Sequence, residues 1–282
     1  MLNAAALAVS TLVASLLGSG ASPSAALTFG SRAGTDIAPL VSANWSGYAA
    51  AAPDGTTAAF SDVTATWVQP KVTCTAGRSD AAAFWVGLGG NSETAPALEQ
   101  LGTGAECNGS STAPTYDAWW EIVPAAAVPI PLKVQPGDRV TAAVLVSDQT
   151  VTMSLKNITR KTRFSKTLTL TQPLDVSSAE WIAEAPSLCT PSGRCRPVPL
   201  SRFGTVTFTN AAAIGNTHPG TISDTAWTAS PIELISDGGG GGRFFGAGDI
   251  LGPAVGALPG SLSADGRSFS VAWQQSVTPP AQ

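Results

Sequence analysis

Hydrophobic and polar positions alternate with a period of two along most of the chain after residue 44. In the segment 63–68, Val63, Ala65 and Trp67 occupy every second position. This alternation places successive side chains on opposite faces of a β-strand. We therefore predict strands throughout, and no segment after residue 26 has the 3.6-residue period of an amphipathic helix.

The clearest predicted hairpin lies between residues 140 and 155. Its apolar positions share one face, and a polar turn at 147–149 separates Val140, Ala142, Val144 and Val146 from Val151, Met153 and Leu155. Further strands are predicted at 205–209 and 268–273. Many short strands punctuated by Gly and Pro predict an all-β fold, a sandwich of two antiparallel sheets.

Composition supports a compact fold that forms one domain over residues 44–282. The chain has eight Trp and nine Phe, and 44% of its residues are hydrophobic against 12% charged. This supplies enough apolar surface for a buried core. Because the net charge is −4, we expect no basic face for nucleic acid or anionic lipid. We also expect a monomer.

The amino-terminal segment has the pattern of an export signal. An apolar run at 4–17 is followed by small residues up to Ala26, although no Lys or Arg precedes the run. We therefore predict a signal peptide over residues 1–26 and a secreted, extracellular protein without a membrane span. Residues 27–43 could be a propeptide or a flexible arm, and the sequence does not decide between them.

Four cysteines in an exported chain predict two disulfides. Proximity favours Cys189 with Cys195, which leaves Cys74 for Cys107, although three pairings are formally open. There is no Cys-x-x-Cys spacing, and His218 is the only histidine. A tetrahedral zinc site is therefore disfavoured, and we expect no metal or other cofactor.

The same residue content narrows the possible hydrolytic chemistry. His218 lies in a polar turn, which argues against a Ser-His-Asp or Cys-His mechanism. The sequence also lacks the Asp-Thr/Ser-Gly turns of aspartic peptidases, which argues against that class. Carboxylates and amides presented from strands remain as candidates. Three segments place such groups beside aromatic residues or glycines, namely 98–104, 116–121 and 180–184.

Taken in order, seven segments of the chain resemble the glutamic peptidases of the eqolisin family. They are NWSGY (44–48), VTATWVQP (63–70), FWVGLGG (84–90), LEQLGT (98–103), YDAWWE (116–121), AEWIAE (179–184) and FGTVTF (203–208). Each segment alone has low specificity, but their order and spacing together make a strong signal. The resemblance implies a concanavalin-like sandwich with a concave substrate cleft, and endopeptidase activity in acid.

The resemblance also implies roles for individual residues. The family's catalytic glutamine matches Gln100 and its catalytic glutamate matches Glu184. We expect the other matched or neighbouring polar and aromatic residues to bind substrate: Trp85, Tyr116, Asp117, Trp119, Glu121 and Glu180. The chain departs from the family at Gly89, where members commonly carry aspartate.

The implied mechanism uses Glu184 as a general base that activates water and the Gln100 amide as an oxyanion donor. Polypeptides are the expected substrates.

Two other classes of protein fit paired carboxylates and aromatics on a concave sheet. One is a glycoside hydrolase that uses Glu184 with Glu180 or Glu121, and the other is a non-catalytic carbohydrate-binding β-sandwich.

Overall fold

A computed structural model describes residues 39–53, 56–91, 97–189, 195–236 and 254–277. Every regular element in these residues is a β-strand. The strands are β1 (Leu40–Ser42), β2 (Trp45–Ala51), β3 (Phe60–Val68), β4 (Ser79–Gly89), β5 (Leu98–Asn108), β6 (Thr115–Val123), β7 (Val128–Pro129), β8 (Arg139–Ser147), β9 (Thr150–Asn157), β10 (Thr162–Thr169), β11 (Ser178–Glu184), β12 (Ser187–Cys189), β13 (Cys195–Pro197), β14 (Thr205–Gly215), β15 (His218–Gly220), β16 (Thr228–Ser236), β17 (Ala254–Pro259) and β18 (Phe269–Val277).

The strands form two packed sheets that share β14. Sheet I has the order β14-β18-β17-β16-β2-β11-β4-β5-β6-β7, and sheet II has the order β10-β9-β8-β3-β14. The first half of β14 pairs with β18 and the second half with β3, with a register shift between Thr209 and Ala212. A strand that bends at such a bulge can pass from one sheet to the other.

The strands predicted from the alternation are confirmed. The hairpin forms from β8 and β9, with Ser147 opposite Thr150 and Asp148 at a positive φ of 52° in the turn. The segments 205–209 and 268–273 lie largely in β14 and β18. The predicted all-β sandwich is therefore the fold observed.

The core lies between the two sheets and is lined by the alternating apolar residues of each. Val140, Val144 and Leu155 of sheet II are fully buried in the same cluster as Phe84 and Trp181 of sheet I. Two indole N–H groups also tie the sheets together: Trp67 donates to the Thr103 hydroxyl at 3.0 Å, and Trp181 donates to the Thr64 carbonyl oxygen at 2.9 Å. A buried Trp N–H needs such a partner, since an unpaired donor is costly.

The predicted disulfide between Cys74 and Cys107 is present. Cys195 is also disulfide-bonded and lies opposite Cys189 in the β12–β13 register. The predicted signal peptide, most of the segment 27–43 and the glycine run at 238–242 lie outside the described residues. Within those residues, no helix is long and apolar enough to span a membrane.

Candidate active site

The candidate site lies on the face of sheet I that points away from the core, which we call the site face. Strand β11 runs between β2 and β4, and β5 runs between β4 and β6. Glu184 is opposite Ala83, Glu180 is opposite Gly87, and Gly87 is opposite Gln100. Because side chains alternate along each strand, register places these three polar residues on one face.

Glu184 is fully buried, and both of its carboxyl oxygens accept hydrogen bonds. The Trp85 indole N–H donates to Oε2 at 2.7 Å, and the Asn44 side-chain amide donates to Oε1 at 3.0 Å. Trp45 packs edge-on against Trp85, with 5.0 Å between the ring centroids. Two fixed neutral donors orient the carboxyl group and favour its ionised form.

Gln100 is fully buried and is held by a neighbouring carboxyl group. Its Nε2 donates to Glu121 Oε2 at 2.6 Å, and the two residues are directly opposite in the β5–β6 register. A primary amide has two N–H donors. The contact with Glu121 therefore fixes the orientation of the amide and leaves its second N–H for another acceptor.

The Glu184 and Glu121 carboxyl groups are electrostatically linked. Burial raises the pKa of Glu184 to about 8, against the hydrogen bonds from Trp85 and Asn44. Burial and the charge of Glu184 together raise the pKa of Glu121 to about 9, against the hydrogen bond from Gln100. The charge of Glu184 therefore favours retention of the proton on Glu121.

Several polar atoms on the site face are buried without a protein partner. They include both carboxyl oxygens of Glu180, Gln100 Oε1, Glu121 Oε1 and the indole nitrogen of Trp119. Burial raises the pKa of Glu180 well above its ordinary value. Unpaired buried polar groups are unfavourable in isolation, so this group of atoms is suited to binding polar ligand atoms and water.

The structure brings most of the predicted residues to the site face. Trp85 and Trp119 pack in one buried cluster there, and Glu121 and Glu180 are fully buried beside them. Asp117 is exposed, and its carboxyl lies directly over Gly104, where a Cβ would overlap it.

Tyr116 is the exception among the predicted residues. It alternates to the opposite face, where its ring packs against the core between the sheets. Its hydroxyl accepts a hydrogen bond from the Val72 N–H at 3.1 Å. In this structure, Tyr116 is therefore not brought together with Gln100 and Glu184.

The backbone explains why glycine replaces aspartate at position 89. Gly89 has a φ of +80°, and a Cβ at this position would overlap the carbonyl oxygen of Asp175. The Asp175 carboxyl itself accepts hydrogen bonds from the N–H groups of Gly90 and Ser177. This bend therefore has no room for the side chain that the family commonly carries.

Asn44 is the site residue that the sequence reasoning missed. It belongs to the matched segment 44–48 but had no assigned role. It lies 140 positions from Glu184 in the chain, and only the pairing of β2 with β11 brings the two residues together.

No group of three or more His, Cys, Asp or Glu within the described part of the chain is arranged to hold a metal ion.

A model of the family described as "Peptidase A4 family" matches residues 43–237. This match includes Asn44, Trp85, Gln100, Glu121 and Glu184. Among curated protein sequences, none matches significantly.

Solved structures of several peptidases have a similar fold. Scytalido-glutamic peptidase, crystallised with a peptide-based transition state analogue, has a TM-score of 0.62 at 23% identity and covers 82% of this chain and 98% of its own. SCP-B, an eqolisin in complex with the tripeptide Ala-Ile-His, has a TM-score of 0.59 with the same identity and coverage. Aspergilloglutamic peptidase from Aspergillus niger has a TM-score of 0.50 at 23% identity and covers 69% of this chain and 99% of its own.

Proposed function

The chain belongs to the peptidase A4 family, the eqolisins, and is a peptide hydrolase; on that basis we propose that it is a secreted glutamic endopeptidase that uses Glu184 and Gln100. The observation that carries this proposal is the arrangement of the site face. A buried carboxyl group fixed by two neutral donors lies on the same face as a buried amide with a free N–H. The Cys74–Cys107 disulfide supports export, because disulfides persist in oxidising compartments.

In the proposed first step, ionised Glu184 takes a proton from a water molecule as the water oxygen bonds to the scissile carbonyl carbon. The hydrogen bonds from Trp85 and Asn44 keep the carboxylate aimed at that water. Glu184 then returns the proton to the amide nitrogen as the C–N bond breaks. The products are a new carboxyl terminus and a new amine.

Gln100 stabilises the negative charge that develops on the carbonyl oxygen during this attack. Its Nε2 group uses one N–H on Glu121, so the other can donate to the oxyanion. An amide donor carries no charge and does not titrate in this range. The Gln100 contribution is therefore the same in acid and at neutral pH.

The active protonation state, in this proposal, has Glu184 ionised and Glu121 protonated. In the ligand-free site, the raised pKa of about 8 leaves Glu184 mostly protonated in acid. Activity in acid therefore requires further hydrogen bonds to the carboxylate, from water or substrate, that lower this pKa. Burial and the charge of Glu184 raise the pKa of Glu121. In this proposal kcat/KM is therefore bell-shaped in pH, and loss of the Glu121 proton sets the alkaline limb.

Replacement of Glu121 by glutamine tests this assignment. We expect Glu121→Gln to keep the contact with Gln100, since a glutamine oxygen also accepts a hydrogen bond, and to move or abolish the alkaline limb of kcat/KM. The measurement is a pH–rate profile on a fluorogenic peptide. Glu106→Gln is the matched control, because Glu106 lies on the same strand as Gln100, and it should leave the limb in place. An unchanged limb in Glu121→Gln would show that another group titrates there.

The reaction class is tested by incubating the purified protein with an unfolded polypeptide and, separately, with soluble polysaccharides across a range of pH. We expect new internal peptide amine termini and no new reducing sugar ends. Release of reducing ends without peptide cleavage would favour the glycoside hydrolase, which could use Glu184 with Glu180 or Glu121. Sugar binding without turnover would favour a carbohydrate-binding module.

A further inference from the structure

The charges of this chain are unevenly distributed. Residues 133–166 hold seven of the 15 Lys and Arg residues but only two of the 19 Asp and Glu residues. The seven cations are exposed, and they are Lys133, Arg139, Lys156, Arg160, Lys161, Arg163 and Lys166. From the low overall charge we predict no basic face. Most of this segment folds into the three adjacent strands β8, β9 and β10, so its cations are brought close together in spite of that low overall charge.

Strand register gathers four of these cations on the outer face of sheet II. One row across the strands contains Lys156 and Arg163, which are directly opposite each other. In the neighbouring row, Arg139 is opposite Val68 on one side, and its carbonyl oxygen accepts a hydrogen bond from the Ile158 N–H on the other. Lys161 follows in the same turn, where its N–H donates to the Ile158 carbonyl oxygen. Strands lie about 4.8 Å apart, so the four cations form a flat array. We call Arg139, Lys156, Lys161 and Arg163 the basic array.

The basic array has no acidic partner among the described residues. The nearby ion pair joins Arg160 to Asp138, and it leaves the four array residues unpaired. Lys156 and Arg163 are like charges in a directly opposed pair, an arrangement that destabilises a sheet. An anionic surface placed against this face would relieve that repulsion.

Apolar side chains lie within the array. Val68 is 51% exposed and Ile158 is 49% exposed, and Arg139 lies between them in one cross-strand row. The array is flat, so it does not enclose a small anion. Cations that surround exposed aliphatic side chains match the interface of an anionic bilayer, where charges meet lipid phosphates and apolar groups enter the headgroup region.

We propose that the basic array docks this protein on anionic lipid bilayers. The array lies on sheet II, and the site face lies on the far side of sheet I. A protein docked in this way holds Glu184 and Gln100 away from the lipid. The site face then remains open to polypeptides in solution.

The test is co-sedimentation of the full protein with vesicles of phosphatidylglycerol and phosphatidylcholine at low ionic strength. We expect binding to weaken as salt is added and as the fraction of phosphatidylglycerol is lowered. Pure phosphatidylcholine vesicles should not bind the protein. Lys156→Gln with Arg163→Gln should weaken binding about 30-fold, which corresponds to about 1 kcal/mol for each cation. Peptidase activity on a soluble peptide should not change.

The matched control is Lys166→Gln with Arg267→Gln, which removes the same charge from exposed positions outside the array. It should weaken binding by much less than the array variant. Equal losses in both variants would mean that overall charge, not the array, drives binding, and would overturn the proposal. Ile158→Asn should weaken vesicle binding but leave any binding to soluble polyphosphate unchanged. Binding to polyphosphate without binding to anionic vesicles would overturn the bilayer assignment.

Discussion

Replacing Glu184 by glutamine is expected to lower kcat/KM by about 10³-fold or more, because a glutamine cannot take a proton from water. The change preserves the size and shape of the side chain, so the packing of the buried site face should survive. One of the two hydrogen bonds that Glu184 accepts, from Trp85 or Asn44, can still be made to the glutamine oxygen. The measurement is steady-state cleavage of a fluorogenic peptide at the pH optimum of the unmodified protein.

A thermal unfolding midpoint measured on the same preparation provides the control for folding. Removing the charge of the buried Glu184 carboxyl group should lower the free energy of unfolding little, since burial already disfavours the ionised form. The loss of one accepted hydrogen bond also lowers this free energy, so we expect Glu184→Gln to unfold within a few degrees of the unmodified protein. A folded variant that retained a substantial part of the activity would exclude Glu184 as the general base.

Replacing Gln100 by alanine is expected to lower kcat by about 10²- to 10³-fold, the usual loss when one oxyanion donor is removed. Gln100 is fully buried and bonded to Glu121, so alanine also leaves Glu121 without its donor. Gln100→Glu offers a second variant of nearly the same shape, with an acid in place of the amide. Both variants should lose kcat more than they change KM, because the contact forms in the transition state.

These two variants distinguish an oxyanion donor from a merely structural residue. If Gln100 only supported Glu121, Gln100→Glu should restore much of the activity at low pH, where a protonated acid can still donate one hydrogen bond to it. If Gln100 binds the oxyanion, its second N–H is lost in both variants and both stay slow. Activity close to that of the unmodified protein in either variant would remove Gln100 from the mechanism.

The sequence predicts the fold well because the fold depends on local alternation. The β8–β9 hairpin is a clear case, since its buried valines fall on every second position and its turn is polar. The same rule places Glu180 and Glu184 on one face of β11, and Asp117, Trp119 and Glu121 on one face of β6. It also separates Tyr116 from that face, and in this instance the alternation agrees with the structure where the family resemblance does not.

Features that depend on pairing between distant strands could not be read from the sequence. Asn44 meets Glu184 only through the register of β2 with β11. The basic array arises because a turn and three strands bring together cations spread over 25 positions, from Arg139 to Arg163. Glu121 on β6 interacts with the charge of Glu184 on β11, although β5 and β4 lie between these two strands. Alternation along one strand carries no information about this interaction.

The most direct test of the account is a double-variant cycle that combines Glu184→Gln with Gln100→Ala. Residues that act on one bond in one transition state are strongly non-additive when both are removed. We predict that kcat/KM of the double variant lies within a few-fold of that of Glu184→Gln alone. A double variant whose loss equals the product of the two single losses would show that the two side chains act independently, and would contradict their concerted action on one bound water.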